Sequence, residues 1–372
     1  MSISQADVTQ HIAPPSRFTN EPLTPPLTDK KLFAGALRVI AFFRHIQAGE
    51  NIKQGPWIEF QLAQGEYDEI ERTLQQDDVL AGYVKDKIRY DYDEDRGRLV
   101  VRMPTGVHGL FIDKVEDAIR TQLKIIRSKS GRSAQFAQKV HPARSTEINF
   151  TTSALSSKSK YEPDESFWHD DAQYPGVIIE VAYSQKKKRL GRLAENYLLD
   201  SDASVRVVVG LDIEYSEKGS RKASLSMWRP RLFETADGSE LRAVEEAVNE
   251  PFRDDEGNPV DHPGLRLRLS DFTYEELAQA EMGDEDAEIF IPGIQLCQYL
   301  AAAESKAQRA QPLGKHSFVH EVKKRKRLET PPEEITAGDE ARYAEDEQRA
   351  TKRTVSHDHD YIVTASTKRF SE

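Results

Sequence analysis

Hydrophobic and polar positions along the chain follow two periods, one typical of helices and one typical of strands. Apolar residues recur every three to four positions over 31–45, 107–127 and 186–199, and this spacing predicts three amphipathic helices. Alternation of period two, or a continuous β-branched run, predicts strands instead. The predicted strands are 57–62, 88–92, 98–103, 177–181, 205–213, 223–228 and 265–269. The two strands of 88–103 read as a hairpin that turns at Gly97.

Weaker patterns complete the set of predicted elements. A short helix is expected over 66–74 and a final helix over 289–303, with weak strands over 136–140 and 146–150. Residues 234–262 read as a polar insertion with a helical patch near 241–248. The order helix, strand, strand, strand, helix, strand has no fixed period, which excludes a solenoid. It predicts an α/β fold in which a mixed β-sheet is flanked by helices.

Composition divides the chain into a folded part and two tails. Of the 372 residues, 38% are hydrophobic and 31% are charged, which favours a folded core with polar extensions. Residues 1–28 are proline-rich without an apolar period and are predicted to be a disordered tail. The folded domain is predicted over 29–304, with its core at 57–277. Residues 305–372 are expected to form a low-complexity, disordered tail.

Charge, cysteine content and hydropathy limit the classes of protein to which this chain can belong. The net charge of −11 argues against a general nucleic-acid coat but leaves room for a local basic surface. The single cysteine, Cys297, excludes an internal disulfide. No run of about 18 apolar residues is present, so no membrane span is expected. The first residues lack the pattern of a secretory signal, and an intracellular protein is expected.

One carboxylate in a predicted buried strand is the strongest chemical signal. Glu180 stands inside the apolar run Val177–Val181, and a buried charge is costly unless it is paired or bound to a cation. Asp164 of the preceding Pro163-Asp164 pair is a candidate co-ligand, because acidic oxygens from neighbouring strands can form a Mg²⁺ site. A structural ion pair between Glu180 and the basic run 186–189 explains the same pattern, and the sequence leaves both readings open. Glu116, at the edge of the helix stripe, is expected to be half-exposed.

Several landmarks recur here in the order seen in a known group of enzymes. Over residues 57–277 the chain resembles the PD-(D/E)XK nuclease superfamily, and within it a restriction-endonuclease-like family common in bacteria. The landmarks are the helix 66–74, the hairpin that ends at Met103-Pro104, His108 at the start of a long helix, Glu162-Pro163-Asp164, the strand end 180–184, a helix that ends near Tyr197, the strand 205–211, and a last strand and helix over 265–272.

The resemblance implies a Mg²⁺-dependent phosphodiester hydrolase of restriction-endonuclease-like fold. In that superfamily the two carboxylates, here Asp164 and Glu180, bind metal and a lysine positions the attacking water. The usual lysine position, two residues after the glutamate, is Ala182, which cannot act. In the bacterial family the lysine can migrate to the next helix, where the register lands near Arg192.

The basic run at the start of that helix supplies other candidates. Lys186 shares a helical face with Leu190 and Leu193, which makes it the candidate catalytic lysine. Lys187, Lys188 and Arg192 are then candidates for binding substrate phosphate. The resemblance also implies nucleic acid as a partner and homodimerisation.

A second basic run lies in the predicted C-terminal tail. Lys323, Lys324, Arg325, Lys326 and Arg327 are consecutive, which is typical of a nuclear import signal or a nucleic-acid patch. A nuclear import receptor is therefore an expected partner, and the nucleus the expected location, with the cytoplasm otherwise. Two functions stay open: a nuclear Mg²⁺-dependent nuclease, and a catalytically inactive nuclease-fold module that binds nucleic acid or protein.

Overall fold

A computed structural model of the chain describes residues 33–50, 57–150, 158–183, 187–214 and 219–310. The predicted tail 1–28, Lys186 and the basic run 323–327 lie outside the described residues. The described part is a mixed α/β structure, as the sequence predicts. Its helices are α1 (Ala34–Gln47), α2 (Glu66–Gln75), α3 (Asp78–Lys87), α4 (Gly106–Arg127), α5 (Arg132–Gln138), α6 (Lys187–Asp200), α7 (Glu275–Met282) and α8 (Gly293–Ala310).

The strands fall into three sheets within the described residues, where the sequence suggested one. They are β1 (Trp57–Gln61), β2 (Arg89–Asp93), β3 (Arg98–Arg102), β4 (Val140–Pro142), β5 (Ile148–Asn149), β6 (Lys160–Tyr161), β7 (Glu165–His169), β8 (Val177–Tyr183), β9 (Val207–Ile213), β10 (Ala223–Thr235), β11 (Gly238–Arg253), β12 (Leu265–Arg268) and β13 (Glu288–Ile291). The strand orders are β1-β3-β2-β6-β5, β11-β10-β9-β8-β7-β4 and β12-β13.

The six-stranded sheet is packed on both faces. Its strand β9 is buried at every position, which suits a β-branched run in the middle of a covered sheet. Phe111 and Val115 of α4 join Ile179 and Val209 in the apolar core on one face. Tyr197 of α6 belongs to a second apolar cluster with strand residues of β8 and β9. Strand β8 runs parallel to β9 and antiparallel to β7, so the sheet is mixed.

The five-stranded sheet carries the predicted hairpin. Strands β2 and β3 pair from Arg89 opposite Arg102 to Asp93 opposite Arg98. Gly97 in the turn has a positive φ of 55°, a conformation that glycine adopts without steric penalty. Helices α1, α2 and α3 cover this sheet through their own apolar cluster. None of the described helices combines the length and apolarity needed to cross a membrane.

Four sequence predictions of elements are wrong. Residues 132–138 form α5 rather than a strand, and only Val140–Pro142 extends as β4. The helical patch near 241–248 is instead part of β11, a 16-residue strand paired with β10. Long-range pairing with β10 satisfies the backbone there and overrides a weak local preference. Residues 289–291, predicted to begin the final helix, belong to strand β13, and α8 runs past the predicted helix end at 303 to Ala310.

Candidate active site

The two predicted carboxylates lie side by side in the six-stranded sheet. Asp164 immediately precedes β7, and Glu180 lies within β8, where Glu165 and Ile179 face each other across the antiparallel pair. Both side chains are almost fully buried, with 2% and 3% of their surface exposed. Asp164 thus lies just before the strand that pairs with the strand of Glu180, and each of these buried carboxylates requires a partner.

Asp164 is held by cations and by the backbone. Its Oδ1 lies 2.6 Å from Nη2 of Arg89 and 3.1 Å from Nε2 of His108. Its Oδ2 accepts a hydrogen bond of 2.6 Å from the backbone N–H of Val181. Burial alone would raise the pKa of Asp164, but His108 and Arg89 outweigh it and hold the pKa well below its usual range. Asp164 is thus a fixed anion next to β8.

Glu180 has one cationic and one neutral partner. Its Oε2 lies 2.6 Å from Nη1 of Arg102, and its Oε1 accepts a hydrogen bond of 2.8 Å from the hydroxyl of Tyr197. Burial raises the pKa of Glu180 to about 8, because desolvation exceeds the attraction of Arg102. The partner is therefore an arginine from the hairpin, and the predicted ion pair with the basic run 186–189 is not what the described residues show.

The guanidinium of Arg102 lies close to three carboxylates, those of Glu180, Asp164 and Asp91. Its Nη1 lies 2.6 Å from Glu180 and 3.9 Å from Asp164, while its Nε donates to Asp91 at 2.6 Å. Arg89, Arg102 and His108 thus face three carboxylates, those of Asp91, Asp164 and Glu180. Burial is what favours the protonated form of Glu180 in this group.

The arginines were missed by sequence reasoning, although a signal was present. In a strand, residues two apart share a face, so Arg89, Asp91 and Asp93 line one side of β2. Asp91 and Asp93 are buried, as is Arg102 on the paired strand. A charged face on a predicted strand requires partners from another element, and this property could have indicated a polar centre.

The basic residues of α6 are placed only in part. Lys186 and the side chains of Lys187 and Lys188 lie outside the described part of the chain, and the backbone of α6 begins at Lys187. Arg192 is exposed and forms no ion pair with any residue that the structure describes. Arg189 instead lies 2.8 Å from Glu59 and stands over the ring of Trp57. Ala182 follows Glu180 at the usual lysine position, so the choice of lysine stays a prediction.

A second pair of buried carboxylates lies on the α4 side of β7. Glu116 is 4% exposed, so the expectation of a half-exposed side chain is wrong. Glu165 is 2% exposed and accepts backbone N–H groups of Arg144 and Ser166, each at 3.1 Å. Burial, followed by repulsion from Glu116, raises the pKa of Glu165 to about 8. Glu165 therefore favours its protonated form.

A third polar cluster has the composition of a metal site, but a lysine ammonium already contacts both of its carboxylates. His169, Asp171 and Glu281 offer ligand atoms within 4.8 Å of one another. The ammonium of Lys139 lies 2.8 Å from Asp171 and 2.6 Å from Glu281. His169 Nδ1 accepts the N–H of Asp171, so the neutral ring carries its proton on Nε2, which faces Glu281. The Nδ1 lone pair of His169, which a metal would need, is therefore already used in a hydrogen bond. We interpret the cluster as an ion-pair network.

Comparison with known proteins adds no family assignment. No protein-family model matches this chain, and no curated protein matches it with significant similarity. The function is therefore argued from the site alone.

Proposed function

We propose that this chain is a Mg²⁺-dependent nuclease of the PD-(D/E)XK type, hydrolysing phosphodiester bonds in nucleic acid. The observation that carries the proposal is the convergence of Asp164 and Glu180, from adjacent strands, on one cationic nitrogen of Arg102. Strands β7, β8 and β9 are neighbours in one sheet, and α6 connects β8 to β9, which supports a restriction-endonuclease-like core. Mixed pairing of β7, β8 and β9 agrees with it.

The donor set fits a hard divalent cation. Asp164 and Glu180 supply carboxylate oxygens, which are the ligands that Mg²⁺ prefers. Arg102 Nη1 occupies the position between them, so these two residues would hold the ion only after the guanidinium moves aside. When bound, the ion supplies neutralisation of phosphate charge and activation of water.

The remaining side chains would orient the carboxylates and the substrate. Tyr197 donates to Glu180 and fixes the direction of its second oxygen. His108 holds Asp164 from the first turn of α4. Arg89 and Arg102 are planar cations whose paired N–H groups match a phosphate, so they would grip the scissile phosphodiester. Lys186 is the proposed lysine that positions the attacking water, with Lys187, Lys188 and Arg192 on the substrate side.

A second function is favoured by one observation. Both carboxylates are neutralised by arginines, and Ala182 stands where a lysine is usual, so the same fold could serve as a catalytically inactive module. Such a module would bind nucleic acid or protein in the nucleus, with entry through an import receptor that recognises 323–327. Homodimerisation is proposed for either function.

A cleavage assay separates the two functions. Purified full-length chain is incubated with single- and double-stranded DNA and RNA in Mg²⁺ or Mn²⁺, beside Glu180→Gln. The matched control is Glu195→Gln, an exposed glutamate on α6. Cleavage by the wild type and the control, lost in Glu180→Gln, supports the nuclease. If the wild type cleaves none of these substrates, the catalytically inactive binding module becomes the preferred function.

A further inference from the structure

A cleft of about 710 Å³ opens between β10, β12 and α7, away from the carboxylate centre. Five arginines line it: Arg206, Arg229, Arg231, Arg266 and Arg268. None of the residues that hold Asp164 or Glu180 contributes to its walls. In a chain of net charge −11, this concentration of guanidinium groups in one cavity requires its own explanation.

Four of the five arginines lie in two pairs on strands of different sheets. Arg229 and Arg231 are two apart on β10 of the six-stranded sheet, and Arg266 and Arg268 are two apart on β12 of the two-stranded sheet. Residues at this spacing share a face of a strand and stand about 7 Å apart. The cleft therefore receives arginines from two different sheets.

Four of the five arginines pair with carboxylates of the cleft, and these ion pairs differ in exposure. Arg206 lies 3.0 Å from Glu275, and Glu246 lies 2.9 Å from Arg229 and 2.7 Å from Arg231. Arg229 makes a bidentate contact with Asp271, at 2.5 and 2.8 Å, and is half-buried. Arg266 lies 2.6 Å from Glu288, but more than half of each side chain is exposed. Arg268 is exposed and makes no ion pair within the described part of the chain. Exposed ion pairs are weak in water, so a bound anion can replace their carboxylates.

Carboxylates and apolar residues complete the walls. Glu246, Asp271, Glu275, Asp286 and Glu288 also line the cleft, so its net charge is near zero. Long-range attraction therefore contributes little, and recognition has to come from direct contact with the guanidinium groups. The apolar residues Met227, Leu267, Ala278 and Met282 also line the cleft.

We propose that this cleft binds a compact oligophosphate, an anion with two or more linked phosphate groups, either free or as part of a nucleotide. Guanidinium groups bind phosphate oxygens in pairs, and two pairs of arginines suit a ligand with several such groups. A volume of this size accommodates a small organic ligand. The proposal does not depend on the nuclease function, because no residue of the carboxylate centre takes part.

The test measures binding by the full-length chain in EDTA, which removes divalent cations from the other site. Tripolyphosphate, ATP and inorganic phosphate are titrated by calorimetry and by thermal shift, against NaCl of equal ionic strength. Tripolyphosphate and ATP are expected to bind with a saturable rise in melting temperature and more tightly than inorganic phosphate. Tighter binding of ATP would identify a nucleotide as the ligand, and equal binding the phosphate chain alone.

Variants assign the binding to the cleft. The double substitution of Arg266→Ala and Arg268→Ala is expected to weaken binding at least tenfold, and both residues are exposed, so folding is retained. The matched control is Arg242→Ala, an exposed arginine of β11 paired with Glu240, which should bind as the wild type does. The proposal is overturned if neither oligophosphate binds at millimolar concentration, if the double variant binds normally, or if only long duplex DNA binds.

Discussion

The guanidinium of Arg102 lies 2.6 Å from the carboxylate of Glu180, although the two residues belong to different sheets. The same side chain binds Asp91 beside it on the paired strand. This contact connects the hairpin of the first sheet to the candidate active site of the second. It also makes Arg102 a built-in cation at the position that the proposed metal ion would take.

Replacing Arg102 is therefore expected to destabilise the fold and to increase the stabilisation of the protein by Mg²⁺. Arg102→Met should lower the free energy of unfolding by about 3–5 kcal/mol, because buried carboxylates lose their partner. Mg²⁺ should then raise the melting temperature of the variant more than that of the wild type, since no guanidinium competes for the site. Urea denaturation and a Mg²⁺ titration of melting measure the two effects.

Arg242→Met provides the control for that comparison. Its ion pair with Glu240 is exposed, so the free energy of unfolding should change by no more than about 1 kcal/mol. An equal Mg²⁺ response in Arg102→Met and wild type would show that Arg102 does not compete with a cation.

The paired glutamates predict a loss of stability at alkaline pH. The pKa of Glu165 is raised to about 8 in the folded chain, so its protonated form stabilises the fold. That contribution is fully present below the ordinary glutamate pKa and is lost as the pH rises through about 8, at most about 1.4 kcal/mol per pH unit. Glu180 acts in the same direction over the same window.

Glu165→Gln removes one of these titrations while keeping the shape. Denaturation between pH 6 and pH 9 should show a smaller loss of unfolding free energy in this variant than in the wild type. Glu276→Gln, an exposed glutamate of α7, should retain the full loss. A wild-type stability that is flat, or rises, over this range would contradict the raised pKa.

The lysine assignment predicts an order among variants of the basic run. Lys186→Met should reduce Mg²⁺-dependent cleavage more than Lys188→Met, because only Lys186 shares the sheet-facing side of the predicted helix. Arg192→Met should mainly weaken substrate binding, because a guanidinium grips phosphate but does not move protons. Single-turnover cleavage and binding assays separate the two effects. Equal cleavage by Lys186→Met and wild type would remove Lys186 from the proposed mechanism.

Nuclear entry depends, in our proposal, on the basic run in the tail. Alanine at all five positions 323–327 should move a fluorescently tagged chain from the nucleus to the cytoplasm. The melting temperature of the purified protein should stay within a degree or so of wild type, because this segment has no apolar period to bury. Continued nuclear accumulation of the variant would refute the import signal.

Much of the fold was accessible from local patterns. The stripe of α4 and the apolar run of β9 were predicted correctly, because the period of burial is a property of one element and is written in its own residues. The buried carboxylate Glu180 was identified in the same way, since an acidic residue inside a strand of such composition must meet a partner. Its neighbour Asp164 followed from the order of strands.

The tertiary structure decided what the local patterns left undetermined. Residues 241–248 became strand because β10 pairs with them, and Glu116 became buried because β7 packs against α4. Arg102 was chosen as the partner of Glu180 by a contact between residues 78 positions apart. The sequence by itself determined which faces of each element are apolar and which charges need compensation. Only tertiary packing determined which element supplies that compensation, because burial and ion pairing depend on neighbours that are distant along the chain.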